Sequence, residues 1–325
     1  MKIKWGTFFR VLVSVTALAL IVWFLRDKLS EAFLILQNEV NYFWFGLAAL
    51  AFFLSLASTA GRMHGILHAK QVEWSFGSTL YVTFMGLFFS LFLPSAIGGD
   101  IVKAVYLSKH AKSKADVFSC IVIDRFSGFC VVLGLAFLSS ALLQESWNPM
   151  PAWMSWTAIG VMLSFGAAIF IRPEIIPWIF SKMRFLPHRF QEKLNQFYAS
   201  LSGFFHNRPL LIQNLAFSLL AQSLFILAYF FIGKSLDAPI PFAQFFMMVP
   251  MITIISMAPS INGLGVREAG ALFLFKMHMP AERALAMTVL IGVLVYAFSF
   301  LGGIWYLVRG VWGKDGLHGP VKQDS

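Results

Sequence analysis

The sequence is short of charged residues and of cysteine, and each shortage excludes a class of protein. Only 12% of its 325 residues are charged, whereas soluble domains average about a quarter. The two cysteines, Cys120 and Cys130, lie in one apolar stretch and indicate neither a disulfide framework nor a metal site. Walker, dinucleotide-binding, nucleophile-elbow and zinc-protease motifs are also missing. An intrinsic ATPase is therefore excluded, and we expect no enzyme active site, no metal and no cofactor.

Apolar residues are abundant instead. The chain is 58% hydrophobic, contains 36 phenylalanines and has a mean hydropathy of +0.75. Its net charge of +10 would indicate a nucleic-acid partner in a soluble protein. Here the basic residues cluster in loops between apolar runs, which is typical of topology bias and of attraction to anionic lipid head groups. The composition predicts an all-α polytopic membrane protein with no nucleic-acid partner.

Six apolar runs are predicted to be full membrane spans. Each approaches or exceeds the ~20 residues that cross ~30 Å of hydrocarbon. The first run also resembles a secretory signal peptide, but bulky and charged residues follow it where a small-residue cleavage site would lie, so we predict a retained span. The six runs are 11–25, 42–60, 117–143, 153–171, 209–232 and 284–308.

Two further runs, 76–97 and 242–261, each end in a Pro-Ser-Gly cluster. With the N-terminus in the cytoplasm, the excess of Lys and Arg in cytoplasmic loops requires both runs to be re-entrant hairpins that leave on the face they enter. This topology places 18 Lys and Arg inside, 5 outside and 2 at membrane depth, with a cytoplasmic C-terminus. In the alternative, Pro94 and Pro259 merely end helices, and both runs are kinked spans.

The predicted order of span, span, hairpin and span occurs twice, and the second copy starts on the opposite face. We therefore predict an inverted repeat of eight membrane-embedded segments, with repeats at 1–145 and 146–312 and a cytoplasmic tail at 313–325. Pro, Ser and Gly of the two hairpins match at a shift of 165. Within a cytoplasmic linker at 174–208, residues 186–205 have the spacing of an amphipathic helix on the cytoplasmic surface, or alternatively of a helix packed on the neighbouring loops.

The hairpin tips are the predicted binding region. Irregular backbone at membrane depth is tolerated only where it is buried in protein or lines a wet cavity. Arms of about ten residues reach about half the bilayer, so hairpins from opposite faces would meet near the midplane. Their free N–H groups and helix N-termini would suit an anion such as phosphate. The predicted tip residues are Pro94, Ser95, Gly98, Gly99, Pro259, Ser260, Asn262, Gly263 and Gly265.

Charged residues beside the tips and inside the spans are the candidate substrate contacts. A charge at a helix centre costs about 2.5–3.5 kcal/mol on insertion scales and usually faces a bundle interior, and arginine binds phosphate bidentately. Neighbouring helix positions point ~100° apart, so Asp124 and Arg125 should have different partners. The candidates are Arg62, Asp100, Lys103, Asp124, Arg125, Arg267 and Glu268. Internal ion pairing is the alternative, with Asp100 bound to Lys103 or Arg267, and Arg62 would then be a snorkelling anchor.

Three segments resemble the lysylphosphatidylglycerol synthase transmembrane-region family. They are 93–100 followed by Lys103, Asp124-Arg125, and 259–268 with its Gly-Leu-Gly-Val-Arg-Glu stretch. This family is a flippase-like membrane module that occurs alone or fused to an aminoacyl-lipid transferase. The resemblance covers roughly residues 8–310, without a transferase domain. It implies movement of a lipid, or of a lipid-linked head group, between leaflets.

The leading hypothesis is therefore a flippase-like transporter of the bacterial inner membrane that moves a phospholipid or a lipid-linked phosphate. Arg125, Arg267 and Lys103 would hold the phosphate, while Asp100 and Glu268 would pair with them, contact a cationic head group or carry a coupling proton. An ion gradient, the membrane potential or downhill lipid movement would supply the energy. Two alternatives are a non-transporting scaffold or accessory subunit of a lipid-modifying enzyme, and an integral membrane enzyme that uses acidic residues of the spans.

Cysteine accessibility tests the predicted topology. In a chain with Cys120 and Cys130 replaced by alanine, Lys70→Cys and Lys109→Cys should both react with a membrane-impermeant maleimide from the cytoplasmic face. The two positions flank one hairpin, which returns the chain to the face it entered. Lys234→Cys is the control and should react from the opposite face. Labelling of the first two positions from different faces would show that the run between them crosses the membrane.

Overall fold

The computed structural model describes residues 29–70, 72, 74–93, 98–108, 113–143, 156–157, 160, 204, 207–258, 260 and 263–312. Within these ranges the regular structure is entirely α-helical. The predicted span 11–25, most of the span 153–171, most of the linker 174–208 and the tail 313–325 lie outside the described residues, as do Pro94, Ser95, Pro259 and Asn262.

Nine helices of ten or more residues make up this part of the chain, numbered here in order. They are α1 Leu29–Asn38, α2 Tyr42–Ala69, α3 Phe76–Ser90, α4 Gly98–Ser108, α5 Lys114–Leu142, α6 Arg208–Ser235, α7 Phe242–Ile255, α8 Val266–Phe275 and α9 Ala281–Trp312.

Four of these helices are long and apolar enough to cross a membrane, namely α2, α5, α6 and α9. They confirm the predicted spans 42–60, 117–143, 209–232 and 284–308. The helix α2 continues nine residues beyond its predicted end. Its last part carries Arg62 and two histidines, which lower its hydropathy, but the helix persists because Met63, Ile66 and Leu67 are buried in the protein. The chain is a multi-pass helical membrane protein.

The two runs that were predicted to be re-entrant hairpins do not divide into helices as expected. Each run, 76–97 and 242–261, was predicted to contain two arms of about ten residues. That prediction is wrong, because α3 and α7 run uninterrupted for 15 and 14 residues. The chain turns after them, and the packed second helices are α4 and α8. Hydropathy missed these second helices because Asp100, Lys103, Arg267 and Glu268 interrupt their apolar character, and ion pairs compensate the charges.

The helices α2 and α6 occupy equivalent places in the chain and pack antiparallel. Each has 28 residues, and their first residues are 166 positions apart. Each also follows an asparagine whose side-chain oxygen accepts a hydrogen bond from the first turn, an arrangement that satisfies otherwise free N–H groups. Asn41 N–H donates to Ser235 O at 2.9 Å, whereas Gly65, near the other end of α2, faces Gln213.

Two of the short helices, α3 and α7, each pack on a long helix of the opposite half of the chain. The helix α3 packs on α9, and its counterpart α7 packs on α5. Gly302 of α9 lies against the backbone of Phe84 on α3, and Ser139 of α5 donates to Phe246 O of α7 at 3.0 Å. The first half therefore completes the packing of the second half, and the reverse is also true.

Two apolar clusters form the core, one toward each end of the α2–α6 pair. The first contains Phe52, Ile232, Phe245 and Phe275. The second contains Ile66 of α2, together with Tyr81 of α3, Leu107 of α4 and Ile123 of α5. Polar residues of α2 and α6 are left between the clusters, near the middle of both helices.

The contact between α3 and α9 can be tested with two glycines. Gly302→Ala would place a Cβ onto the carbonyl of Phe84, closer than real side-chain atoms approach backbone. Overpacking of this kind costs about 1–3 kcal/mol, so we expect the melting temperature in detergent to fall by several degrees. Gly46→Ala is the control, because nothing lies within 4 Å of its added methyl group and alanine favours helix. Equal melting temperatures for the two variants would show that the helices do not meet as described.

Candidate functional site

A cavity of about 380 Å³ lies between the two apolar clusters. The walls come from α2, α3, α4, α5 and α6, from the last turn of α7 and from the chain just after it. Ser55, Gly128 and Ala221 border it near the midpoints of their helices, which at 1.5 Å per residue lie roughly 20 Å from either end. The cavity therefore lies at about mid-depth of these membrane-spanning candidates.

The helical structure is interrupted after α3 and after α7, and both of these helix breaks border the cavity. Ser90, the last residue of α3, borders it from one side, and Ser256 and Met257, which follow α7, border it from the other. The sequence predicted that the two tips would come close together. The predicted tip residue Ser260 is buried, and Gly98 and Gly99 begin α4 beside Leu93 and Ser90.

Arg62 and Asp124 form one ion pair on the cavity wall. Arg62 Nε donates to Asp124 Oδ1 at 2.7 Å, and Arg62 Nη1 donates to Ser218 Oγ at 3.1 Å. Gly128 makes room for this guanidinium, because a Cβ there would lie 3.0 Å from Arg62 Nη1. The snorkelling role considered for Arg62 is wrong, since its side chain is 8% exposed and paired inside the bundle.

Asp100, Lys103 and Arg125 form a second charged cluster. Asp100 lies in the first turn of α4 and accepts a hydrogen bond from Arg125 Nε of α5, and Lys103 Nζ is 3.5 Å away from it. This confirms the alternative in which Asp100 pairs with Lys103. It also confirms that Asp124 and Arg125 have different partners, because Asp124 faces α2 and Arg125 faces α4.

Two glycines allow this second cluster to form. Gly86 of α3 has no side chain where the stem of Lys103 crosses, and Gly99 of α4 lies directly on the Gly86 carbonyl. Any Cβ at these positions would collide with Lys103 or with backbone. The pair therefore lets α4 approach α3 closely enough for Lys103 to reach the cavity.

Arg125 has the most exposed side chain of the charged residues in these two clusters. Its side chain is 58% exposed, whereas that of its partner Asp100 is 3% exposed. Arg125 is among the residues that line the cavity, and Asp100 is not. Only Nε takes part in the ion pair, so within the described part of the chain both terminal nitrogens remain for a ligand. Such nitrogens bind a phosphate in the bidentate manner of arginine.

Arg267 and Glu268 do not line this cavity, although the sequence grouped them with Arg125. Arg267 Nε donates to Glu268 Oε1 at 3.2 Å, and its guanidinium lies 5.6 Å from the centre of the Tyr296 ring. Glu268 Oε2 accepts the N–H of Gly265 at 2.7 Å, which caps α8. The predicted pair of Arg267 with Asp100 is wrong, since each has a partner on its own side.

The turn between α7 and α8 contains two glycines whose backbone conformation other residues rarely adopt. Gly263 and Gly265 have φ of 76° and 80°, a left-handed region that glycine enters without the Cβ penalty of other residues. The backbone reverses there and starts α8 with Glu268 in its first turn. The N–H of Gly265 is consequently occupied by a carboxylate of the protein itself and is not free for an external anion.

The sequence-based search missed the polar face of α6. Asn214, Ser218 and Gln222 recur at four-residue spacing, which places them on one face of a helix. Ser218 binds Arg62, and Gln222 borders the cavity with a buried Nε2 that has no hydrogen-bond partner in the described structure. Their spacing within an otherwise apolar span was the signal. Tyr296, which contacts Arg267, was also missed.

The chemistry of the cavity is that of a cationic binding site. Arg62, Lys103 and Arg125 carry three positive charges, and Asp100 and Asp124 carry two negative charges that these cations already hold. Among the described residues, no group of three or more His, Cys, Asp or Glu is placed to hold a metal ion. A small anion is the ligand that this net charge favours.

The fold and this charged cavity define a multi-pass helical membrane protein with a polar site inside its bundle. The chain belongs to the family described as the lysylphosphatidylglycerol synthase TM region, which matches residues 8–303. It is 24% identical to a UPF0104 membrane protein of Pyrococcus horikoshii over 328 aligned positions, covering 91% of this chain and 95% of that protein. No solved structure matches it. The predicted resemblance to this family is confirmed.

The Arg62–Asp124 pair predicts a specific pattern of stability. Arg62→Met should cost about 3–5 kcal/mol, because it leaves the Asp124 carboxylate buried without its partner, whereas replacing both members of such a pair by apolar residues is often close to neutral. Arg62→Met/Asp124→Leu should therefore recover most of the lost melting temperature in detergent. A single variant as stable as the wild type, or a double variant as unstable as the single, would contradict the pairing.

Proposed function

We propose that the protein is a flippase-like lipid transporter that moves a phospholipid, or a lipid-linked phosphate head group, between the leaflets of the membrane. The proposal is carried by one observation, which is that Arg125, with a side chain 58% exposed, lines a cavity at mid-depth of the long helices. A charged residue at membrane depth is costly and usually marks a substrate path. The phosphate would bind in this cavity while the acyl or prenyl chains remain in lipid.

In this proposal the charged residues have separate roles. Arg125 and Lys103 contact the phosphate, with Asp100 orienting both. Arg62 and Asp124 position each other at the same wall and add to its positive potential. Arg267 and Glu268 lie off the cavity and contact the head group only as it passes the second helix break. None of these residues performs covalent chemistry, so the protein acts as a transporter and not as an enzyme.

An inverted repeat with two re-entrant hairpins is part of this proposal. The packing supports it in two ways. Equivalent helices α2 and α6 run antiparallel, as an inversion requires, and the contact of α3 with α9 has its counterpart in that of α7 with α5. Transporters built in this way bind substrate near the midplane, at the interface of the repeats.

The remaining parts of the proposal concern location and energy. The excess of basic residues in loops on one side favours a cytoplasmic location for both termini. The family resemblance is our reason for placing the protein in the bacterial inner membrane. With no ATPase motif in the sequence, an ion gradient, the membrane potential or downhill lipid movement drives the transport.

Lipid scrambling in proteoliposomes tests the proposal. Purified protein, without any partner, should move fluorescent phosphatidylglycerol between leaflets, followed by dithionite quenching of the outer leaflet. Arg125→Ala should slow this movement by about 10- to 150-fold, which corresponds to one charge-assisted hydrogen bond of about 1.5–3 kcal/mol. Its fold should persist, because Asp100 keeps Lys103 as a partner.

Lys234→Ala is the matched control. It also removes one positive charge, but Lys234 is exposed near the end of α6, over the ring of Phe230. Its scrambling rate should equal that of the wild type. If the wild-type protein alone moves no lipid, it is a scaffold or accessory subunit, and if Arg125→Ala moves lipid at the normal rate, the cavity is not the path.

A further inference from the structure

A layer of side chains closes the cavity toward the predicted cytoplasmic face, one helical turn beyond the ion pair on its wall. Arg62 of α2, Asp124 of α5 and Ser218 of α6 lie side by side, joined by two hydrogen bonds. The helix α2 ends at this face, whereas α5 and α6 begin there. Since four residues make about one turn, the closing layer lies one step of four along each helix. Its members are Ile66, Cys120 and Asn214.

This closing layer is tightly packed. Its three side chains are 1%, 0% and 3% exposed. Cys120 Sγ lies 4.0 Å from Ile66 O, so α2 and α5 are in contact there. Ile66 and Cys120 also belong to the second apolar cluster. Asn214 is thus a polar side chain placed among apolar ones.

The side-chain amide of Asn214 is not satisfied by this packing. Its Nδ2 is buried and has no hydrogen-bond partner among the described residues. Burying an amide without a partner costs free energy, because its hydrogen bonds to water are lost and not replaced. An N–H group only donates, so its partner must offer a lone pair. Water is the smallest molecule that does so, and buried waters commonly serve otherwise unsatisfied polar groups.

Polar groups of α6 connect Asn214 to the cavity. The Ser218 hydroxyl donates to the Asn214 carbonyl at 2.8 Å and accepts from Arg62 Nη1 at 3.1 Å. One turn further, Gln222 borders the cavity with a buried Nε2 that has no partner in the described part of the chain. Asn214 and Gln222 are eight residues apart, which is roughly 12 Å along the helix. A polar file therefore runs from the cavity into the closing layer.

One apolar layer remains between Asn214 and the predicted cytoplasmic face. It contains Leu210, one turn before Asn214 on α6, and Val117 near the start of α5, and both are buried in the second apolar cluster. Two residues before Leu210, α6 begins at Arg208, which is exposed. Parting this single layer would therefore bring water to the amide.

On the opposite side of the cavity the same face of α6 is apolar. The four-residue spacing of its polar side chains continues beyond Gln222 with Ile226 and Phe230. Both pack in the first apolar cluster, together with Phe52 of α2. The polar file of α6 therefore leads toward the cytoplasmic face and not toward the outer one.

We infer that Asn214 binds water in the closing layer, and that this layer is the gate through which the cavity is hydrated from the cytoplasmic face. When Leu210 and Val117 part, water reaches the amide and replaces the hydrogen bonds that its burial removes. The amide therefore offsets part of the cost of opening the apolar packing. This inference rests on the proposed function and deepens it, because it names the face from which the proposed transport site opens to water.

Cys120 is a native reporter for the closing layer. The full-length chain with Cys130→Ala is reconstituted in lipid vesicles, and a small membrane-impermeant methanethiosulfonate reagent is added on one side with a thiol quencher on the other. A buried thiol reacts only when water reaches it, because the thiolate is the nucleophile. We expect Cys120 to react from the face at which Lys70→Cys is labelled, and not from the opposite face.

Replacing the amide shows whether it controls the opening. Asn214→Leu keeps about the same side-chain size but offers no hydrogen bond to water. Loss of this one amide should lower the labelling rate of Cys120 by about 5- to 150-fold, while the melting temperature in detergent stays at or above that of the wild type. Gln213→Leu is the matched control, because it removes the same kind of amide from an exposed neighbouring position. Its Cys120 should be labelled at the wild-type rate.

A second reporter tests the outer side of the cavity. Ala228→Cys is placed in a chain with Cys120 and Cys130 replaced by alanine. Ala228 lies two turns beyond Ala221 on the same face of α6 and is buried in the first apolar cluster. The new thiol should react from neither face, because apolar side chains cover it.

These results bear on the gate independently of the transport path. The inference is overturned if Cys120 does not react from the Lys70 face, if it is labelled as fast in Asn214→Leu as in the wild type, or if Ala228→Cys reacts faster from the outer face. A melting temperature several degrees lower in Asn214→Leu would also overturn it, since the amide would then have a partner in the protein. Lipid scrambling controlled by Arg125 stands in all of these cases. Loss of that control, with Cys120 labelling as expected, would instead overturn the proposed function.

Discussion

Asp100 is the residue on which the charged interior depends. Its carboxylate is 3% exposed and lies between Lys103 of its own helix and Arg125 of α5. Removing such a charge from water costs several kcal/mol, and only well-placed opposite charges offset that cost. Two cations for one carboxylate leave a positive excess, and this excess is located where Arg125 borders the cavity. The structure thus keeps at mid-depth an arginine whose charge is only partly offset, because Lys103 shares its carboxylate.

The geometry around Asp100 is set by backbone contacts more than by the charges. Gly86 and Gly99 allow α3 and α4 to touch, and Gly128 admits the guanidinium of Arg62 beside α5. Without these close approaches, long cationic side chains would have no space inside an otherwise apolar bundle. Small residues in membrane helices commonly serve this purpose, because they let backbones approach and polar groups meet.

Hydropathy was sufficient to predict the four long helices, since each contains a continuous apolar stretch. It was insufficient for α4 and α8, because Asp100 and Glu268 make these helices look like polar loops until their partners are known. The pairs Arg62–Asp124 and Asp100–Arg125 join residues far apart in sequence, and no spacing rule encodes them. The polar face of α6 at Asn214, Ser218 and Gln222 was readable, by contrast, because four-residue spacing is a property of one helix.

The packing of α3 and α7 on long helices of the opposite half has a consequence for biosynthesis. The surface of α3 around Phe84 and Phe88 is covered by Gly302 and Gly303 of α9, which is the last helix of the described chain to leave the ribosome. Until then this aromatic surface must stay in contact with lipid or with the insertion machinery. Domains commonly fold as units, the N-terminal one first, but here the first half reaches its native packing only after translation of the second half.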